Sequence, residues 1–424
     1  ILFSALCFSC KEAKQIQSDV IKPIEFPVPD RPAGVTDVVN LAVAPIDTVR
    51  VGFIGLGMRG PGAVKRFTHL EGVKIVALCD IHPERVEDCQ KVLRKAGLPE
   101  ATDYSGSADA WKKLCERDDI DLVYISTDWD THVPMSLFAM EHGKHVACEV
   151  PIALTVEDCW KLVDMAEKTR LHCMMLENCC YDFFEMATLN MAQKGILGEI
   201  VHAEGAYIHD LRQLNFEDPA RGGYNNWWRL EYNTHHTGNP YATHGLGPVA
   251  QALNLGRGDR MEYLVSLSSD QFGMTAYAEK KFGKDSEEAK REYKMGDMNT
   301  SVIRTAKGKS IMIQHDVTSP RPYNRKHALS GTKGYIEKYP RPGIALDPSD
   351  ELSVNFENLS AHGFLPEKQF DEMMKNYEHP ITREVGEMAK KVGGHGGMDF
   401  IMDYRLIYCL RNGLPLDINV YDGV

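Results

Sequence analysis

The 424-residue sequence predicts an α/β protein: a doubly wound parallel sheet first, then an α+β domain with an open, mostly antiparallel sheet. Three observations predict it. A glycine triplet, Gly55-x-Gly57-x-x-Gly60, follows the short apolar run Thr48–Ile54 and opens a helical pattern. From Asp80 to Leu176 short apolar runs alternate regularly with helical patterns. After Asn178 the texture changes to longer strand-like runs.

Composition sets outer limits. Hydrophobic residues make up 43% and charged residues 25%, enough apolar material for a full core. The net charge is −12 and no lysine- or arginine-rich run stands out, which argues against nucleic acid or an anionic membrane surface as partner. Of the eleven cysteines only Cys7 and Cys10, in the apolar opening stretch, have C-x-x-C spacing, and no second pair accompanies them, so neither a metal nor a disulfide framework is expected.

The chain opens on the apolar stretch Ile1–Ser9, followed by Cys10 and a polar segment. This has the pattern of a lipoprotein signal remnant over residues 1–10, with Cys10 as the lipidated residue. It predicts a bacterial cell-envelope location, periplasm or outer membrane, with the lipid anchor as the only membrane contact. The run is too short to span a bilayer. Residues 11–46, with Pro23, Pro27, Pro29 and Pro32, read as a tether.

Residues 47–178 are expected to form the dinucleotide-binding domain. A glycine-rich turn between strand and helix lets backbone N–H groups approach a pyrophosphate at the helix N-terminus. The second apolar run, Val73–Cys79, ends in Asp80, twenty positions past Gly60. A carboxylate there accepts ribose hydroxyls and repels a 2′-phosphate, which predicts NAD rather than NADP. Further strands over Asp121–Thr127, Lys144–Glu149 and Leu171–Leu176 end in Asp128–His132, Glu149–Val150 and Asn178. Ligands in such sheets bind beyond the strand C-termini, where all these residues collect.

Residues 179–424 are expected to bind substrate. Strands are predicted over Gly198–His209, Met261–Ser268, Thr300–Thr305 and Ser310–Thr318. Ala276–Gly296 is charge-rich and reads as a solvated helix or lid, Gly393–Gly397 as a flexible hinge, and Met398–Asn412 as a helix stopped by Gly413. This half carries a polar and aromatic load on short loops: Tyr207, His209, Trp227, Trp228, Arg229, Tyr241, His244, Arg321 and Tyr323. Tyr241 and His244 are three apart where a helix begins, so they share a face and could share a proton transfer. Ring faces beside an arginine suit a carbohydrate. Five of them have a plainer reading: Tyr207 as a half-buried strand residue, His209 with Asp210 as a structural pair, Trp227 and Trp228 as core, and Arg229 as a surface ion-pair partner. Clustering on loops after a nucleotide domain favours function.

The segments MMLENCCYDFFEMATLNMAQKG (174–195), GEIVHAEGAYIHDLR (198–212), NPYATHGLGPV (239–249), IRTAKGKSIMIQHDVTSPRPYNR (303–325) and VGGHGGMDFIMDYRLIYCLRNGLPLDINVYD (392–422) resemble the family 109 glycosidases. These are NAD-dependent exo-α-N-acetylgalactosaminidases within the Gfo/Idh/MocA oxidoreductase superfamily, built on an N-terminal Rossmann domain. The resemblance runs from about Asp47 to Val424, and members of the family usually continue past Asp422. Where many dehydrogenases of the superfamily carry Glu-Lys-Pro, this chain has Glu149-Val150-Pro151, which agrees with the glycosidase branch.

The resemblance implies that NAD is touched by the glycine turn with Met58 and Arg59, by Asp80, Trp129, Asp130, Thr131, His132, Glu149, Val150 and Asn178, and by the stretch Tyr241, Ala242, Thr243, His244. Tyr207, Arg229, Tyr241 and Tyr323 would touch the sugar; His244 and Tyr241, with Tyr207 and His209 as second candidates, would carry catalysis. It also implies a retaining cycle on glycans ending in α-linked N-acetylgalactosamine: oxidation at C3, loss of the C2 proton, elimination at C1, water addition and re-reduction. Two other readings stay open, an exported sugar oxidoreductase with retained NAD(P) and an envelope sensor that binds without turnover. The oligomeric state, including a homo-oligomer, is left open too.

Overall fold

The computed structural model describes residues 23–351, 356 and 359–424. The expected signal remnant and Cys10 lie outside the described residues. Among them no helix is long and apolar enough to cross a membrane.

Six parallel strands form the first sheet: β1 (Val49–Ile54), β2 (Val73–Asp80), β3 (Thr102–Ser105), β4 (Leu122–Ile125), β5 (His145–Cys148) and β6 (Cys173–Met175). Their order is β3-β2-β1-β4-β5-β6. Strand order reverses between β1 and its two neighbours, and this switch point opens a crevice at the strand C-termini. β1, β4 and β5 are buried almost throughout, which is why they read as unbroken apolar runs.

The second sheet has seven strands: β7 (Ile200–Ile208), β8 (Met261–Ser268), β9 (Asn299–Thr305), β10 (Ser310–Asp316), β11 (Ala328–Gly331), β12 (Gly334–Glu337) and β13 (Gly343–Leu346). The order is β13-β12-β11-β7-β10-β9-β8, antiparallel except for the β7–β10 pair. Helices Phe183–Gln193 and Thr243–Ala252 supply Met191 and Val249, and Leu253 just past the second helix joins them, in a core with Ile311, Ile313 and Leu329. The edge strand β8 is exposed along its whole length.

Three segments differ from expectation. The charged stretch 276–296 is helical and largely exposed at its start, one of the two expected forms, but it is docked rather than a free lid: helix Gly273–Phe282 and the segment after it bury Met274, Ala278, Ala289 and Tyr293 against Phe216 and Leu230. The segment before β1 does not run free. Arg31 pairs with Asp164 and Glu167, and Val38 and Leu41 enter the first core. Helix Met398–Asn412, far along the chain, returns to that same core with Phe400, Ile401, Met402, Leu406 and Leu410. Gly413 ends it in the left-handed conformation, as its position predicts.

Candidate active site

A cleft of about 1380 Å³ lies beyond the C-termini of the first sheet and is walled on the far side by the second domain. Its floor is the turn after β1. Gly55 has φ +88°, and a Cβ there would stand 2.7 Å from the Ser126 backbone. A Cβ on Gly60 would stand 2.1 Å from the Gly55 carbonyl oxygen, so the helix Gly60–Phe67 approaches the strand only as glycine. Gly57 has nothing nearer than Arg85 Nη1 at 3.5 Å and leaves its backbone open to a ligand. No side chain caps the helix, so its first N–H groups face the cleft unclaimed. Asp80 is buried at the end of β2 and accepts from Leu56 N at 2.7 Å and His82 N at 2.9 Å. This aims a fixed carboxylate at the crevice with lone pairs to spare.

Gly55, Gly57, Met58, Arg59, Asp80, Trp129, Thr131, His132, Glu149, Val150, Asn178, Tyr207, His209, Arg229, Tyr241, His244 and Tyr323 all line this one cleft. Four of the expected contacts are not on its wall. Gly60 is pressed against Gly55, Asp130 is exposed on the outer face of its helix, Ala242 packs against the second core, and the Thr243 hydroxyl is buried. His132 lines the cleft with Nδ1 2.8 Å from Pro151 O and Nε2 3.3 Å from Thr127 O; burial favours the neutral ring, whose one N–H can donate to only one of these carbonyls.

The second domain brings its chemistry in on two elements. Tyr207 ends β7, and His244 sits in the first turn of helix Thr243–Ala252. These two elements touch backbone to backbone: a Cβ on Gly205 would meet the Gly245 oxygen at 2.2 Å, and one on Gly245 the Ala206 nitrogen at 2.2 Å. The result is a compact aromatic group. The rings of Tyr207 and Tyr241 lie 4.7 Å apart, Tyr207 and His244 5.3 Å, Tyr241 and His244 4.9 Å, and His209 and Tyr323 5.1 Å.

His244 Nδ1 lies 2.7 Å and 3.0 Å from the two carboxylate oxygens of Glu177. Glu177 is wholly buried. Burial pushes its carboxyl upward, but the His244 ring and the Cys179 N–H hold it below the usual carboxylate range. The carboxylate therefore fixes the proton of His244 on Nδ1 and leaves Nε2 as the acceptor. Glu177 was missed in the sequence, although it stands at the end of β6 beside Asn178. One further neighbour, Cys179, puts three potential ligand atoms within 4.8 Å of one another.

Burial pushes the phenol of Tyr207 up to about 12, against the opposing Arg229 charge, and raises Tyr241 and Tyr323 as well. These phenols stay protonated and donate. Burial and then the Arg229 charge lower His209, so that ring is neutral. Arg229 is itself 5% exposed and caged by rings, 5.0 Å from Trp129, 5.0 Å from Tyr241 and 5.6 Å from Tyr224. It donates to Tyr224 OH, its Nη2 has no partner, and it is in no ion pair among the described residues. A buried cation held by ring faces rather than a carboxylate is suited to polar oxygens of a ligand.

A second buried network was also not foreseen. Asp399, in the first turn of helix Met398–Asn412, accepts from Asn178 Nδ2 at 2.6 Å and meets Arg59, Arg66 and His395. Arg59, from the glycine turn, also reaches Glu149 at 3.1 Å. The signal available in the sequence was His395 itself, a histidine isolated between two glycine pairs.

Residues 181–424 match the family model described as "Glycosyl hydrolase 109, C-terminal domain", and residues 49–177 the one described as "Oxidoreductase family, NAD-binding Rossmann fold". A "Glycosyl hydrolase family 109 protein 1" of Bacteroides fragilis is 56% identical over 98% of this chain and 88% of its own length. An "Alpha-N-acetylgalactosaminidase" of Bacteroides fragilis is 58% identical over 92% of this chain and 88% of its own. Among solved structures, a myo-inositol 2-dehydrogenase from Lactobacillus plantarum shares the fold at TM-score 0.58 and 15% identity, covering 89% of this chain and 93% of that one.

Proposed function

The chain belongs to glycosyl hydrolase family 109, and on that premise we propose that it releases terminal α-linked N-acetylgalactosamine with the help of a retained NAD. The observation that carries this reading is the buried Glu177–His244 pair, set where the nucleotide turn meets the sugar-binding half.

The cleft fits a nicotinamide dinucleotide. Gly55, Gly57 and the uncapped helix would take the pyrophosphate, and Asp80 the adenosine ribose, which favours NAD over NADP. When bound, the nicotinamide ring supplies reversible two-electron chemistry at a sugar carbinol. The chain's own residues do the rest. His244 Nε2 takes the proton released at the C3 hydroxyl or at C2, and Glu177 carries the charge that forms on the ring. Tyr207 and Tyr241, held protonated, donate to sugar oxygens. Arg229 and Tyr323 orient the ring, with the unpartnered Arg229 Nη2 free for an oxygen. Val150 at the position of the dehydrogenase lysine supports hydrolysis over net oxidation.

The test is turnover of α-GalNAc and α-galactosyl aryl glycosides by purified protein without added nucleotide, in deuterated water, followed by NMR. Retained anomeric configuration with deuterium at C2 of released N-acetylgalactosamine is expected. An oxidised sugar accumulating with reduced nucleotide would replace the reading with an oxidoreductase; binding without turnover would leave a sensor. Nucleotide freed by denaturation should be NAD. Attachment to the bacterial envelope through Cys10 remains part of the reading and is tested by metabolic labelling with a fatty-acid analogue.

A further inference from the structure

The Glu177–His244 pair has a third neighbour that the proposed cycle does not use. Cys179 stands on the turn after β6, and its sulfur, a Glu177 oxygen and a His244 nitrogen all lie within 4.8 Å of one another. Thiol, imidazole and carboxylate together are the donor set of a zinc site, whereas magnesium and calcium take oxygen ligands. Among the described residues this is the one group of three such side chains that meet so closely. Sequence spacing hides it, because His244 arrives from the other domain.

The surrounding backbone fixes these atoms. Glu177 and Cys179 are fully buried, and the Cys179 N–H donates to Glu177 Oε1 at 3.0 Å, which closes the turn that carries both. His244 Nδ1 reaches the same oxygen at 2.7 Å. Its helix lies this near only because Gly247 is a glycine: a Cβ there would stand 2.9 Å from Glu177 Cγ and 3.1 Å from Cys180 Sγ. The thiol has one long contact, 3.5 Å to Asn178 Oδ1, so little holds it back from an ion. Cys179 and His244 both line the cleft, which gives an ion its way in. Zinc would stand about 2.3 Å from sulfur and about 2.0–2.2 Å from nitrogen and oxygen, so tetrahedral ligands lie about 3.3–3.6 Å apart. Nitrogen and oxygen would part by about half an ångström and the sulfur would swing in by up to about 1 Å, movements that side chains alone supply. The charges also close. A thiolate and a carboxylate cancel a divalent cation, so the filled site buries no net charge.

We propose that Glu177, Cys179 and His244 form a binding site for a thiophilic divalent cation, zinc or its analogue cadmium, and that filling it switches turnover off. The effect on turnover rests on the function proposed above; the binding does not. As the ion enters, the Cys179 thiol loses its proton to solvent, and the Glu177 carboxylate and His244 Nδ1 turn from each other to the metal. The imidazole keeps one proton, now on Nε2, so one proton is released in all. Nε2 then has no lone pair for a sugar proton, and Glu177 no longer supports a charged ring. The glycine turn and Asp80 are untouched, so the nucleotide stays in place. The fourth position on the ion is left to water.

The experiment titrates the nucleotide-loaded protein, first freed of metal with EDTA, with Zn²⁺, Cd²⁺ and Mg²⁺, as wild type, Cys179→Ala and Cys179→Ser. It reads kcat and KM on a nitrophenyl α-N-acetylgalactosaminide, nucleotide content, and the ultraviolet charge-transfer band of a cadmium thiolate. In wild type, saturating Zn²⁺ or Cd²⁺ should cut kcat by about a hundredfold or more, because the base is lost. Nucleotide content should not change, EDTA should restore kcat, and Mg²⁺ should have no effect. Both variants should keep kcat within about threefold of wild type and need at least about tenfold more metal for the same inhibition. Inhibition equally strong in the variants, or a cadmium band undiminished in Cys179→Ala, would overturn the site. A Cys179-dependent band with no loss of kcat would overturn the switch. Wild type without turnover before any metal is added would remove the function proposed above, while a Cys179-dependent band would still support the site.

Discussion

At the scale of the residue, the strongest feature is a charge set by its partner. Glu177 is ionised although fully buried, because His244 faces it. Replacing His244 by Ala should cut kcat by about a hundredfold or more while the purified protein still releases stoichiometric nucleotide on denaturation. Glu177→Gln should lower kcat comparably, with KM little changed, because an amide no longer balances the imidazolium. Steady-state kinetics beside nucleotide quantitation separates both from misfolding. Tyr207, His209, Arg229, Tyr241, His244 and Tyr323 were legible in the sequence as unusual residue types on loops, and the fold draws them into one cleft. Their partners were not. A carboxylate matters here because it is desolvated and 2.7 Å from an imidazole 67 positions away, and neither property is written in local spacing. His132 shows the same limit: its place after a strand puts it on the cleft wall, as expected, but the Pro151 carbonyl 2.8 Å from its Nδ1 is invisible in local spacing.

At the scale of the element, two glycine contacts carry the site. Gly60→Ala forces a Cβ to 2.1 Å from a carbonyl oxygen and must move the helix off the strand, whereas Gly57→Ala meets only an arginine tip at 3.5 Å. Gly60→Ala should lose both thermal stability and bound nucleotide; Gly57→Ala should keep its Tm and lose nucleotide alone. Thermal melts paired with nucleotide release distinguish the two. Likewise Gly245→Ala pushes the helix bearing His244 away from the strand bearing Tyr207, and should lower kcat more than nucleotide content. The parallel sheet was readable because buried parallel strands are apolar without interruption. The short strands β11, β12 and β13 were not foreseen: four residues each, they are defined by pairing with β7 and with one another rather than by any period of their own. The stretch 276–296 reads as solvated because its charges outnumber the few apolar residues that dock it, and only that docking was not legible.

At the scale of the molecule, acid should act through buried histidines. Burial holds His145 to about 4, and His172, His315 and His327 to about 3, below the ~6.5 of an unfolded histidine. The unfolded chain thus binds more protons below ~6.5, and the stability these four contribute is complete above that pH and lost as it falls toward 4 and then 3. Asp403 has the opposite sign: burial pushes it up to about 7, so what it contributes is kept in acid and lost as pH rises from ~3.9 to 7. Four groups outweigh one, so Tm should drop steadily from pH 6.5 to pH 4, each histidine costing up to about 1.4 kcal/mol per pH unit. Differential scanning fluorimetry across that range checks it. A fragment of residues 47–178 should fail to fold alone, since Phe400, Ile401, Met402, Leu406 and Leu410 complete its core; tryptophan fluorescence and urea melts would report this. That return of helix Met398–Asn412 has a consequence for synthesis. The half made first on the ribosome waits for a helix made only after the whole second sheet, because Asp399 must reach Arg59 and Asn178 before the glycine turn has its full surroundings. A chain interrupted before that helix should therefore leave the nucleotide crevice without its carboxylate anchor and the first core without its closing helix.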